Sequence, residues 1–106
     1  MTRYREPASR KTVTANDSTS SKIATPPTTE LTAYEIELCC DTADVHFRFG
    51  ATGESALSTD PVLKAGVIYR EPHRGKTHLH VLAVSGFGSG HVVEATPVAP
   101  YPVRIG

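Results

Sequence analysis

His78 and His80 lie two residues apart, so on an extended strand both imidazoles project from one face, and His46, His73 and His91 are the remaining candidates to join them. Two such histidines with a third ligand can hold zinc or another divalent ion. Leu79, Val81 and Ala83 occupy the alternate positions. That pattern equally suits a half-buried strand whose outer face carries histidines and no metal, and this is the reading we adopt, with no metal ligands and no cofactor. Ser85 precedes Gly-Phe-Gly and lacks the Gly-x-Ser-x-Gly elbow of an activated nucleophile. Gly86, Gly88 and Gly90 match neither glycine pattern that cradles phosphates, and their flanks read as two strands joined by a hairpin turn. The carboxylates are scattered, so no acid and base pair can be nominated. The chain is therefore read as a non-enzyme with no catalytic residues.

The elements around these residues are short and extended. From Leu31 the pattern has period two, with Tyr34, Ile36, Leu38 and Cys40 on one face and Glu35, Glu37 and Cys39 on the other. Asp41 to Asp44 reads as a turn, after which Val45, Phe47 and Phe49 alternate with His46 and Arg48 until Gly50, so the two runs are expected to form a hairpin. A small polar loop, 51–60, ends in Asp60-Pro61, a pair that disfavours helix. Further strands are expected at Gly66–Arg70, Thr77–Ser85 and His91–Thr96. The final Pro97–Gly106 contains three prolines and is expected as an edge or a tail and not as a central strand. With no amphipathic helical stretch, the reading is all-β: a small β-sandwich or jelly-roll-like domain over 31–106 with an extended N-terminal arm over 1–30. Ile36, Leu38, Phe47, Phe49, Leu79 and Val81 are the expected core.

The arm is set off by composition. Residues 1–30 hold eleven Ser or Thr and three Pro, with few apolar side chains and no period, too little to fold alone. Arg3, Arg5, Arg10, Lys11 and Lys22 outnumber Glu6, Asp17 and Glu30 there, so a segment of +2 precedes a body of −2 within a chain of zero formal charge. Zero net charge argues against a nucleic-acid partner, which usually demands a basic excess. No apolar run reaches the length of a membrane span, and the first residues lack a signal-peptide core, so a soluble protein made in the cytoplasm is expected. Cys39 and Cys40 are adjacent, where a mutual disulfide would be strained, so they are read as reduced thiols with at least one in the core.

Three stretches, Asp44-Val-His-Phe-Arg-Phe-Gly50, Thr59-Asp60-Pro61-Val-Leu63-Lys-Ala-Gly66-Val67, and Thr77-His78-Leu79-His80-Val81-Leu-Ala-Val84-Ser-Gly86 followed by Gly88-Ser-Gly90, together resemble a type of small virion protein of tailed bacteriophages. Those proteins often run Arg-Phe-Gly, Thr-x-Asp, Leu-Pro-Ala-Gly, Thr-His-Ile-Ala-Val and Ser-Gly-x-Gly. The chain departs at Lys64, where Pro is common, and at His80, where a small residue is usual. The resemblance spans roughly Leu31 to Thr96 and does not touch the arm. It implies a structural protein of the virion, made in the host cytoplasm, that decorates and stabilises the capsid by binding the major capsid protein as a trimer or other small homo-oligomer. Arg3, Arg5, Arg10 and Lys11 are then the expected contacts to an acidic partner surface. A tail, head-fibre or fibre-anchor component is the alternative virion role. A host-surface or carbohydrate-binding module is the alternative class, although there is no Trp and Tyr4, Tyr34, Tyr69 and Tyr101 are dispersed.

Overall fold

The computed structural model describes residues 4–5, 10–25, 35–72 and 77–99. The described residues form nine strands: β1 (Tyr4–Arg5), β2 (Lys11–Ala15), β3 (Ser21–Ala24), β4 (Glu35–Cys39), β5 (Val45–Gly50), β6 (Val62–Leu63), β7 (Tyr69–Pro72), β8 (His78–Ala83) and β9 (His91–Ala99). All pairings are antiparallel. The first sheet has β9 at its centre, with β4 and then β7 on one side and both β1 and β2 on the other; the second runs β3-β8-β5-β6. The fold is all-β, as expected.

The apolar half of each alternating strand faces the space between the sheets. Val13, Ala15, Ile36, Leu38, Val93 and Ala95 enter from the first sheet and Val45, Phe47, Leu63, Leu79, Val81 and Ala83 from the second, forming one buried cluster. Of the six expected core residues only Phe49 is partly exposed; it packs against the cluster's margin. Cys40 is buried and Cys39 half-buried on the opposite face, both as free thiols. The two faces of a strand thus keep the adjacent cysteines apart.

From β2 onward each successive strand changes sheet, except that β6 pairs with β5. This overturns both expected hairpins. β4 and β5 lie in different sheets because the link between them turns inward: Ala43 is buried, Val84 N–H donates to the Asp44 carbonyl (2.9 Å), and Gly66 N–H donates to the Cys40 carbonyl (2.9 Å). Two runs with the same alternation can face each other across a core as readily as share one sheet, and here they face. The Gly86–Gly90 link likewise crosses from β8 to β9 in the other sheet, with positive φ at Gly86, Gly88 and Gly90. The expected strand Gly66–Arg70 is replaced by a turn at Gly66 (φ 77°), with pairing only from Tyr69.

Two larger corrections concern the ends. Within the expected arm, residues 10–25 belong to the sandwich: β2 pairs with β9 over Lys11–Ala15, β3 pairs with β8 over Ser21–Ala24, and Val13 and Ala15 are buried. Low apolar content hid them because one or two inward side chains suffice where the backbone ladder supplies the rest of the pairing. The link has its own turn chemistry, with Asn16 Oδ1 accepting from Ser18 N–H (3.0 Å) and Thr19 N–H (2.7 Å). The remainder of 1–30 apart from β1 lies outside the described residues, as do Leu31–Tyr34. At the other end Pro97 sits inside a central strand. β2 pairs with β9 up to Ala95 and β1 resumes at Val98, so Thr96 and Pro97 fall between two partners where a missing N–H is tolerated.

Candidate interaction surface at the open side of the sandwich

The chemistry-bearing side chains are committed to holding loops. His80 is 1% exposed on the outer face of the second sheet, and its Nε2 lies 2.7 Å from the Ala51 carbonyl, to which only an N–H can donate. Its Nδ1 is buried without a partner, and Lys22 and Arg48 stand opposite it on the two flanking strands. His78 Nδ1 meets Thr77 Oγ1 (2.9 Å), His46 Nδ1 meets the Asp60 carbonyl (3.0 Å), and His91 bridges Thr42 Oγ1 and the Phe87 carbonyl (both 2.7 Å). Among the described residues no three His, Cys, Asp or Glu side chains gather around a common point. His73 lies outside the described residues.

Arg48 organises the loop after β5. Its guanidinium donates to both Asp60 oxygens (3.1–3.3 Å) and to Glu54 (3.3 Å). Arg48, then Leu57 N–H, hold the Asp60 carboxyl below its ordinary pKa despite partial burial. Lys22 Nζ reaches the Thr52 carbonyl and Ser20 Oγ accepts from Ala56 N–H (both 2.8 Å), so the loop is tied flat across the sheet. A side chain at Gly50 would collide with the Glu54 carboxylate that caps Ala51 N–H. The glycine loop does bind an anion, but its own: Asp17, on the β2–β3 link, accepts from Gly88 N–H (3.0 Å) and Gly86 N–H (3.1 Å), which lower its pKa.

The expected partner contacts do not form a free basic arm. Arg3 lies outside the described residues. Arg5 is in β1 opposite Val98, Lys11 is in β2 opposite Ala95, and Arg10 donates to Thr96 Oγ1 (3.2 Å). Arg10 and Lys11 thus lie along one margin of the first sheet, built into the body.

At the far margin the sandwich is open among the described residues. There β7 forms the edge of the first sheet, and no described strand pairs with its outer side. Val67, Ile68 and Tyr69, consecutive at its start, are 52%, 56% and 40% exposed. The Tyr69 ring reaches under the edge to Phe47 at 5.1 Å between centroids, and its hydroxyl donates to Glu71 (2.7 Å), which raises the phenol pKa. Behind it lies a groove of about 290 Å³ lined by Phe47, Phe49, Pro61, Tyr69, Pro72 and the charged Arg48, Asp60 and Glu71. On the outer face Arg70 pairs with the nearly buried Glu37 at 2.9 Å, fixing β7 to β4. Sequence reasoning passed over this surface, although three apolar residues in a row after Gly66 violate the alternation of a one-faced strand, and that was the available clue. A smaller groove of about 190 Å³ lies beside Cys39, Asp41, Thr42, Gly90, Val92 and Glu94; there partial burial, then the Asp41 carboxylate, push the Cys39 thiol pKa up.

No protein-family model and no curated protein matches the chain. Among solved structures it is similar to a protein from Bacillus endospore appendages, described as a novel family of disulfide-linked pili, with a TM-score of 0.50 and 14% identity over 92% of this chain and 88% of that one. At that identity the likeness is one of fold.

Proposed function

We propose that the protein is a structural component of a tailed-bacteriophage virion, a capsid decoration protein that docks its open side on the major capsid protein lattice. The observation that carries this reading is the exposed run Val67-Ile68-Tyr69 beside a sheet edge that no described strand pairs. Exposed apolar side chains flanking free backbone groups suit the addition of a partner segment, in which main-chain hydrogen bonds give affinity and adjoining pockets give selectivity. The resemblance of Asp44–Gly50, Thr59–Val67 and Thr77–Gly90 to small virion proteins supplies the partner. Many copies on one lattice turn weak contacts into firm attachment. Arg10 and Lys11 serve this reading as a secondary, salt-sensitive contact.

Co-sedimentation with empty and mature capsids, counting copies bound per shell, tests the proposal. Near-stoichiometric saturation by the unaltered protein and loss of binding by Ile68→Asp are expected. A few copies per particle would move the protein to the tail or a head-fibre position, and no binding would remove it from the virion. One observation favours a second reading, a subunit of a homopolymeric surface filament: the fold likeness to an appendage protein over nine-tenths of the chain. Filaments of the purified protein under the electron microscope, with no capsid binding, would decide for that reading.

A further inference from the structure

The groove behind β7 combines an aromatic lining with an excess of negative charge. Phe47 lies 5.1 Å from the Tyr69 ring, tilted by 55°, and 6.5 Å from the Phe49 ring, nearly perpendicular to it. The faces of such rings attract cations. Three charged side chains share the lining, Arg48, Asp60 and Glu71, so one positive charge stands against two negative ones. Arg48 is already committed, because its guanidinium donates to both Asp60 oxygens and to Glu54. Asp60 is committed as well, since it also accepts from Leu57 N–H (2.8 Å). The charge left over belongs to Glu71.

Glu71 is half-buried, and its Oε1 accepts from the Tyr69 hydroxyl (2.7 Å). Among the described residues nothing bonds its other oxygen, and the adjacent Arg70 is turned to the opposite face, where it pairs with Glu37. A carboxylate partly stripped of water beside aromatic rings is best matched by a weakly hydrated cation. Guanidinium meets that need better than ammonium, because it is planar, stacks on rings and donates two parallel N–H bonds. About 290 Å³ lies at the small end of ligand sites and suits one long side chain. Free arginine fits poorly, since its α-carboxylate would meet Asp60 and Glu71 with Arg48 already occupied. An arginine within a polypeptide brings no such charge.

We propose that this groove receives an arginine side chain of a partner protein, its guanidinium on the Glu71 carboxylate and its stem along Phe49 and Tyr69. The inference rests on the docking reading for the kind of partner, a protein surface, and deepens it by naming the group that anchors there. Arginine seated in an aromatic pocket is the kind of contact that carries a large share of an interface's energy.

The test follows the amide resonances of the labelled full chain as acetyl-Gly-Arg-Gly-amide is added. The same peptide with lysine, or with citrulline as the neutral isostere, in place of arginine runs beside it. Saturable shifts at Phe47–Phe49 and Tyr69–Glu71 are expected with arginine, at a Kd on the order of 1 mM for a single side chain. Binding about tenfold weaker is expected with citrulline and in Glu71→Gln, and weaker binding with lysine. No saturable shift, shifts elsewhere, or equal binding of citrulline or lysine would overturn the assignment without recourse to any variant. Undiminished binding by Glu71→Gln would overturn it too. Co-sedimentation with capsids separates this inference from the reading it rests on. Capsids bound equally by Glu71→Gln and the parent would overturn the arginine contact and leave the docking reading standing. Arginine binding without capsid binding would sustain the groove's role and end the capsid reading.

Discussion

The two long margins of the sandwich are finished in opposite ways. Along the margin of β2 and β3, the link between the sheets is stitched down: Ala83 N–H donates to the Asn16 carbonyl (2.8 Å), Asp17 takes two glycine amides, and Val13 and Ala15 are buried. At the margin of β7 the apolar side chains Val67 and Ile68 face outward and the sheet edge has no partner among the described strands. A chain that satisfies its backbone so thoroughly on one side can do so on the other, and natural sheets usually blunt their edges. Here Glu71, turned inward toward Tyr69, and Pro72 supply only a modest guard. The contrast teaches that the chain closes one margin with its own loops, whereas the other leaves apolar side chains beside a sheet edge that no described strand covers.

The strongest way to break that contrast is to remove each margin in turn. Deleting residues 1–25 takes β1 and β2 from the first sheet and β3 from the second, together with Val13 and Ala15, and is expected to abolish cooperative thermal unfolding. Deleting 100–106 should leave a cooperative transition in place. If the first deletion melted like the intact chain, residues 10–25 would be ornament and not structure. Next in size is the core shared by both margins. Leu79→Ala, at a fully buried position on β8, is expected to cost about 2–5 kcal/mol by chemical denaturation.

Strand identity was largely legible from period-two alternation, and topology was not. Alternation points Ile36, Leu38, Phe47, Leu79 and Val81 inward, and all five are buried. Yet alternation says only that a strand has one apolar face, so it could not tell a hairpin from an arch between sheets, and both proposed hairpins failed for that reason. The distinction rests on contacts distant in sequence, such as Gly66 N–H on the Cys40 carbonyl and Gly88 N–H on Asp17, which no local pattern encodes. β2 escaped notice because Thr, the residue between its inward Val13 and Ala15, reads equally as a polar tail. The open surface was hidden for a different cause: exposure of Val67 and Ile68 is a property of where the strand order ends.

A smaller effect tests the closed margin alone. The Gly88 and Gly86 amides hold Asp17 below its ordinary pKa in the folded protein. A carboxyl depressed on folding stabilises above its unfolded value and loses that contribution as pH falls through the folded one, so the loss is expected below about pH 4. Asp17→Asn should therefore be less stable than the parent near neutrality, and the gap between their thermal midpoints should narrow on acidification to about pH 3. Gly88→Ala attacks the other partner. With φ at 78° a Cβ is strained whatever the space around it, and a cost of roughly 1–2 kcal/mol is expected.

The smallest effect on stability falls on the residue given the largest role in docking. Ile68 lies outside β7, is more than half exposed, and contributes nothing to the buried cluster. Replacing it with Asp desolvates no charge in the isolated domain, so denaturation should move by less than about 0.5 kcal/mol. In an interface the same carboxylate would be stripped of water opposite an apolar partner, a cost of several kcal/mol that attachment cannot absorb. Intact stability with lost capsid binding is the expected pair of results. A variant that loses stability as well would mean that Ile68 packs within its own chain, and the open margin would then belong to the fold rather than to a partner.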